Sequence, residues 1–514
     1  MSLRRFAILC CLTILLSSTS GAQKPAENFV PGEVLIKFRK GVSVERAREA
    51  TGKLNSLSVE VLGDLGWHRI KLLRSLTVND AVRRFQELDA VEHAQPNFYY
   101  SLQATPNDPD FIAGMYGMTR ISAPQAWDIA TGSTSVVVAN IDTGMRYTHE
   151  DLAANMWVNP GEIAGNGIDD EGNGFIDDVY GYDFRYNDSD PLDENGHGTH
   201  TGGTIGAAGN NGVGVVGVNW NVKLMAIKIY SAAGTDTTSA MLISAYNYIR
   251  MMKERGVNIR VTNNSYGGCN EACGYDQATK DAIDELGDAN ILNVFAAGNS
   301  GTNNDVTPFY PASYASPSIL AVAASTSSDN RIFNYGLNSV DLAAPGASIR
   351  STYFNSNSGY TNFSGTSMAT PHVAGAAALL AGNNPALSAA SLKATLMNTV
   401  DQLPQWNGFV RTGGRLNVFA ALQNQTVCAY SFESQPILVP TKGGQYTLNV
   451  TAPQNCDYSV KSSANWIVVN GPPVLSGNGQ VKFWVRVNTT VRRTATVKIA
   501  GQTLSITQSR DGIL

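Results

Sequence analysis

Three short stretches carry side chains that could do nucleophilic chemistry together. Asp142 closes the apolar run Val136 to Ile141 and is followed by Thr143-Gly144. His197 stands in Asn195-Gly196-His197-Gly198-Thr199-His200, and Ser367 in Ser364-Gly365-Thr366-Ser367-Met368-Ala369-Thr370-Pro371. A neutral imidazole can take a serine proton and return it to a leaving group. A carboxylate behind it can hold the tautomer and stabilise the imidazolium. Asn299, in Ala296-Ala297-Gly298-Asn299-Ser300-Gly301, offers an amide donor for an oxyanion. The chemistry these residue types point to is acyl transfer.

Such groups need rigid elements behind them. Val136 to Ile141 reads as a strand buried on both faces, and Asn293 to Ala297 as another. Thr238 to Arg255 and Gln277 to Gly287 have helical periodicity. Ser367 to Gly382 reads as an alanine-rich helix whose N-terminus would give Ser367 a free backbone N–H and a positive dipole end. Alternating strands and helices imply a mostly parallel sheet with helices on both faces. His372, close behind Ser367, is expected to be packed or hydrogen-bonded inside its helix.

Residues 23–103 read as a separate small α/β unit. Strands are predicted at Pro31 to Phe38 and His68 to Leu72, helices at Val44 to Leu54 and Val78 to Leu88, and Ala90 to Phe98 closes the unit. Residues 428–508 change texture to short β-runs with turn signals. Val481, Phe483, Val485 and Val487 alternate with Lys482, Trp484 and Arg486, which gives one buried and one solvated face of a sandwich. Trp484 is expected to face outward.

Net charge is only −5 with no basic run, so nothing points to nucleic acid. Arg4 and Arg5 precede an apolar run from Phe6 to Leu16 and a small-residue stretch ending at Ala22. That pattern reads as an export signal over residues 1–22, too short to span a bilayer. Four cysteines follow it: Cys269, Cys273, Cys428 and Cys456. An even number in an exported chain favours disulfides, with three connectivities open. The domain boundaries favour Cys269–Cys273 and Cys428–Cys456.

The three motif blocks, in the chain order Asp, His, Ser, resemble the subtilisin-like serine peptidases, or subtilases, over roughly residues 107–420, with the start of that region similar to the thermitase-like branch. The resemblance implies a three-layer α/β/α fold with Asp142, His197 and Ser367 catalytic and Asn299 as oxyanion donor. It implies an extended substrate between Gly234-Thr235-Asp236 and Ser265-Tyr266-Gly267, and a pocket lined by the latter and Ala296-Ala297-Gly298. Phe309 falls near the pocket floor, and the sequence leaves open whether its ring narrows the pocket or turns away. Residues 23–103 resemble the family's inhibitory propeptide. Asp108, Asp151 and Asn211, with loop carbonyls such as those of Val213 and Val215, match the family's calcium site. A second calcium loop is read at Asp169, Asn173 and Asp177, although no Glu stands at the twelfth place. Ten acids lie between Asp169 and Glu194 with Arg185 the only base. The C-terminal segment, residues 426–514, resembles the BACON-type modules, which implies a glycan or mucin ligand.

The expected protein is thus a secreted, calcium-stabilised, monomeric serine endopeptidase acting on proteins and peptides. It has a catalytic domain at residues 104–425, is made as a self-processing zymogen inhibited by its own propeptide, and is not associated with membranes. A narrow-specificity processing protease is the same-class rival. A catalytically idle adhesion protein is the rival of another class; it conflicts with the presence of all four chemical residues. The alternating strands and separate cysteine pair of residues 428–508 imply a module that folds alone.

Overall fold

A computed structural model describes residues 29–52, 56–73, 75–99, 104–268, 274–433 and 436–509. The export signal and the Cys269–Cys273 pair expected from sequence lie outside the described residues. The chain forms two units, one up to residue 102 and one from residue 103 to 514.

The first unit is a four-stranded sheet in the order Ser56–Leu62, Trp67–Leu72, Phe29–Phe38, Val91–Phe98, with helices Val44–Gly52 and Val78–Gln86. Its core gathers Val34, Ile36, Ile70, Leu72, Phe85 and Val91. Thr77 caps the second helix by accepting the Asp80 N–H. Like Val91–Phe98, the strand Ser56–Leu62 is not among the predicted ones. It is an edge strand, and its apolar alternates Leu57, Val59 and Val61 are exposed.

The second unit is built on a ten-stranded sheet. Eight strands run parallel in the order Gly414–Arg415, Leu342–Pro345, Ile319–Ser325, Leu292–Ala296, Ile259–Asn264, Gly132–Asp142, Asn221–Lys228, Gly181–Asp183. Successive side chains of the central strand point to opposite faces. Val136 and Val138 enter one core with the helix Thr366–Asn383, while Val137, Ala139 and Ile141 enter another with Ser239–Glu254 and Gln277–Asp288. The outer helices start where local chemistry dictates: Thr238 accepts from Met241 N–H, and Asp276 from Ala278 and Thr279 N–H. The helix Thr366–Asn383 is buried on every side from Thr366 to Ala381, its Ala and Leu positions included, as a helix central to the domain must be.

Residues beyond 436 form two facing antiparallel-rich sheets. One has five strands (Ile437–Val439, Gln502–Gln508, Arg493–Ile499, Asp457–Ser462, Val474–Ser476), and the other has three (Gly444–Val450, Gly479–Val485, Ile467–Asn470). Val481, Phe483 and Val485 fill the core between them, and Trp484 is 46% exposed. Cys428 and Cys456 are disulfide-bonded.

The sequence reading takes this sandwich as a module that folds alone; in the structure it packs against the peptidase domain. The disulfide packs, with Ala452, against Ala394 of the helix Ala389–Asn398. The buried Asp457 carboxylate takes Lys393 Nζ at 2.8 Å and a two-pronged contact from Arg411 at 2.9 and 3.0 Å. Asp341 approaches the same two cations at 3.8 and 3.5 Å. Burial pushes the Asp457 pKa up, but Lys393 and Arg411 outweigh it and hold the carboxyl well below the usual range.

Candidate active site

The chemical residues emerge where parallel strands end, the edge at which α/β sheets place their sites. Asp142 is the last residue of its strand. One neighbouring strand ends at Asn264 and runs into Ser265, and the next ends at Ala296, two residues before Gly298-Asn299. His197 opens the helix His197–Gly206. That helix must come close to the end of the Asp142 strand, and Gly198 allows it. A Cβ there would meet Gly144 O at 2.1 Å and Asp142 Cβ at 3.0 Å.

His197 Nδ1 is 2.7 Å from Asp142 Oδ1, which also accepts the Thr143 N–H at 2.8 Å. The other carboxylate oxygen accepts from Thr201 Oγ1 at 3.2 Å. Asp142 is 2% exposed, while the His197 side chain keeps 29% of its surface open to the cleft. Burial opposes the imidazolium, but Asp142, with Asp193 behind it, outweighs burial and raises the His197 pKa. His200 is buried, stacked on Phe363, with Nε2 2.9 Å from Ile349 O; burial pushes its pKa down to about 3. His372 Nδ1 reaches Met368 O at 2.8 Å inside its own helix, and burial lowers it to about 4. Both are neutral packing groups.

Ser367 is the second residue of its helix. Pro371 has no N–H to give to the carbonyl four residues back, which is that of Ser367. Ser265 Oγ donates to this carbonyl instead, at 3.0 Å, and Ser367 Oγ donates to Ser265 O at 2.8 Å. Among the described residues no hydrogen bond joins Ser367 to His197. In this arrangement the hydroxyl is committed to Ser265 O, and rotation about its side-chain bond would release it.

Asn299 is exposed at the cleft, with its amide oriented by Thr366: Oδ1 accepts Thr366 N–H at 2.8 Å and Thr366 Oγ1 at 3.0 Å. That leaves Nδ2 free to donate. A Cβ placed on Gly365 would stand 3.3 Å from Asn299 Nδ2 and 3.6 Å from Ser367 N. The Asn299 amide and the Ser367 backbone nitrogen thus both lie beside the space above Gly365 that a glycine leaves empty.

One cleft of about 860 Å³ joins these groups. Asp142, His197, Ser367, Asn299, Gly234, Thr235, Ser265, Tyr266, Gly267, Ala296, Gly298 and Phe309 line it, so the structure brings together most of the residues expected from sequence. Two do not line it. Ala297 is fully buried, with its carbonyl taken by Asn304. Asp236 turns aside to accept Ser231 N–H at 3.0 Å and Arg185 Nε at 2.7 Å; burial opposes its charge, yet these donors bring its pKa down to about 2. Phe309 does not point away. Its ring lies against Gly267, Gly268 and Gly298, where added Cβ atoms would approach it to between 2.0 and 2.9 Å. Sequence reading missed Tyr230, Tyr310 and Tyr314, which make the cleft strongly aromatic. Tyr310 and Tyr314 flank Pro311-Ala312 beside Phe309, which was the available signal.

The two acidic regions behave differently. Asp108 and Asp151 are both fully buried, with no cationic partner among the described residues. Asp108 accepts Asn210 N–H at 2.7 Å; Asp151 accepts Asn211 Nδ2 at 2.8 Å, Val215 N–H at 2.9 Å and Tyr360 OH at 2.9 Å. Burial, with the Asp108 charge adding to it, pushes Asp151 up to about 6. Asn211 presents its amine end to Asp151, and its Oδ1 accepts Val213 N–H at 2.8 Å. In the second loop, Asp169 and Asp177 do not converge as a calcium shell. Asp169 accepts Asn173 and Gly174 N–H, and Asp177 those of Gly165, Asn166 and Gly167. Both cap turns. Asn173 donates to Glu171 and Asp178. The acids that do converge are Glu162, Glu171 and Asp178, each with an oxygen within 4.8 Å of the others. Burial, then the Glu171 contact, pushes Glu162 up to about 7; burial lifts Asp178 to about 6.

Residues 133–418 match the profile described as the subtilase family, and residues 17–97 that of the fervidolysin N-terminal prodomain. The chain is 38% identical to thermitase of Thermoactinomyces vulgaris over 321 residues, covering 62% of this chain and 99% of that protein. It is 31% identical over 396 residues to the thermophilic serine proteinase of Bacillus sp. strain AK1, covering 77% and 88%, and 36% identical over 310 residues to subtilisin DY of Bacillus licheniformis, covering 60% and 98%. A match across more than half of the chain, on the segment that carries the cleft, means that this protein belongs to the subtilase family of serine peptidases, with a fervidolysin-type prodomain ahead of the peptidase domain.

Proposed function

We propose that the chain hydrolyses peptide bonds with Ser367 as nucleophile, His197 as general base and Asp142 as its partner. Ser367 Oγ rotates from Ser265 O to His197 Nε2, gives up its proton there and bonds to the substrate carbonyl carbon. The carbonyl oxygen, now negative, is received by Asn299 Nδ2 and Ser367 N–H. The C–N bond then breaks as His197 returns the proton to the leaving amine, and water repeats the sequence on the acyl-enzyme. The observation that carries this reading is the meeting in one cleft of the 2.7 Å His197–Asp142 contact, Ser367 at a helix start and the paired donors at Gly365. Ser367→Ala should abolish labelling by an active-site-directed fluorophosphonate and leave an unprocessed precursor. A labelled, processed variant would sink the assignment.

The prodomain match supports synthesis as a zymogen inhibited by its own first unit. The leader read over residues 1–22 supports export. Among the described residues no helix is long and apolar enough to cross a membrane. A monomer acting on protein and peptide substrates completes the reading.

Calcium fits the Asp108–Asp151 site. Two buried carboxylates without a base, one held near pKa 6 by its surroundings, suit a divalent cation that oxygen ligands surround. Asp108, Asp151, the Asn211 side chain after an amide turn, and the carbonyls of Val213 and Val215 would hold it. The ion would supply stability by binding only the folded state. Calcium should raise the melting temperature, and Asp151→Asn should remove most of that rise. An equal rise in wild type and variant would place the ion elsewhere.

The exposed Trp484 on the sandwich supports a glycan-binding face. Its test is retention of the full chain on a mucin column, set against Trp484→Ala.

A further inference from the structure

Asp193 is a buried carboxylate that lies outside the chemistry above. It is 3% exposed, and every partner it has is a donor. Oδ1 accepts Asn195 N–H and Gly196 N–H, both at 2.9 Å, and Thr143 Oγ1 at 2.8 Å. Oδ2 accepts Thr199 N–H at 2.9 Å and Thr199 Oγ1 at 2.6 Å. Four of these donors belong to the segment that starts the His197 helix. The fifth belongs to the residue next to Asp142.

Thr143 completes the link. Its hydroxyl donates to Asp193 and accepts Gly198 N–H at 2.9 Å, and its own N–H donates to Asp142 Oδ1 at 2.8 Å. The turn carrying Asp142 and the turn carrying His197 are thus held in mutual register through one carboxylate and one hydroxyl. A helix N-terminus also favours a negative charge there.

We propose that Asp193 is a positioning residue for the His197–Asp142 pair, clamping the start of the His197 helix to the Asp142 turn through the Thr143 hydroxyl. This rests on the reading of His197 as general base. Displacing a reacting group by about 1 Å can cost on the order of a hundredfold in rate, so the clamp should show in turnover and not in substrate binding.

The test uses the full chain, matured by trace wild-type enzyme, with Ser367→Ala and His197→Ala treated identically to set the background. Active sites are titrated, and kcat and KM are measured on a short chromogenic peptide. Thr143→Val removes the hydroxyl at nearly constant volume and leaves Asp193 its other four bonds. It should lower kcat about tenfold or more with KM within about threefold, while Thr143→Ser restores wild-type kcat; Asp193→Asn should lower kcat about a hundredfold. Thr143→Val with kcat within twofold of wild type overturns the proposal. So does a rise in KM alone, or a Thr143→Ser variant as impaired as Thr143→Val. If Asp193→Asn does not fold, the Thr143 pair decides. A His197→Ala variant that turns over above background would overturn the base assignment itself, and with it this inference.

Discussion

Asn299 illustrates how one side chain can be made a reliable donor. Thr366 occupies its oxygen twice, so the amide cannot flip without losing both bonds. Nδ2 is thereby aimed at the space above Gly365. Asn299→Ala should lower kcat by about 10²–10³ with little change in KM, because the donor acts on charge that exists only in the transition state. That magnitude is the one found on removing such a donor from a subtilisin, a member of the same family. Steady-state kinetics on a short peptide checks it, and unchanged kcat would remove Asn299 from the mechanism. His197 adds a pH statement. Its pKa is raised because Asp142 and Asp193 outweigh burial, so the acid limb of kcat/KM should lie above the ordinary histidine range. Asp142→Asn should move that limb to lower pH.

At the scale of elements, the loop from Asn159 to Asp178 is held by its own carboxylates. Asp169 and Asp177 cap turns. Burial, with the Glu171 contact adding to it, lifts Glu162 to about 7, and burial lifts Asp178 to about 6, so the folded state holds protons on these two more tightly than the unfolded chain does. The sign follows from linkage: a group whose folded pKa is raised favours folding below its unfolded pKa and loses that advantage as pH rises through the folded value. For Glu162 the window runs from about 4.5 to about 7. In metal-free buffer, Glu162→Gln should therefore melt higher than wild type at pH 8 and no higher at pH 5. Equal differences at the two pH values would mean that the cluster shares no proton.

Over the whole molecule, the seam between the peptidase domain and the sandwich is ionic. Asp457 is 4% exposed and Lys393 3%. Removing one partner strands the other charge, at a cost of about 3–5 kcal/mol. Asp457→Ala should lower the melting temperature at pH 7. Because the folded Asp457 pKa is depressed, its contribution is present above the unfolded value near 4 and is lost as pH falls through the folded one, so the gap between variant and wild type should close in acid. Truncation after Gln425 would expose Lys393 and the Ala394 face, so it should destabilise the peptidase domain and not simply release an appendage. Thermal melts of both forms check this; an unchanged melting temperature after truncation would make the sandwich an independent passenger.

What could be read from the sequence was local. The Asp142, His197 and Ser367 blocks are contiguous runs in which strand end, turn and helix start are set within a few residues. Thr238 and Asp276 announce their helices in the same way. The alternation at Val481 to Val485 declared which face of the sandwich is buried, but Val487, read as its continuation, lies beyond the strand and is 59% exposed. What the tertiary structure decided involves partners far apart in the chain. Ser367 meets Ser265 across 102 residues, and Asp236 turns to Arg185 across 51. Asp193 reaches Thr143 across 50, and Arg411 reaches Asp457 across 46. The edge strand Ser56–Leu62 escaped because its apolar alternates face outward, where burial does not enforce the pattern. A side chain's type shows what it can do. Which of several equally suitable donors or acceptors it takes depends on packing, and packing brings together residues whose separation along the chain carries no signal.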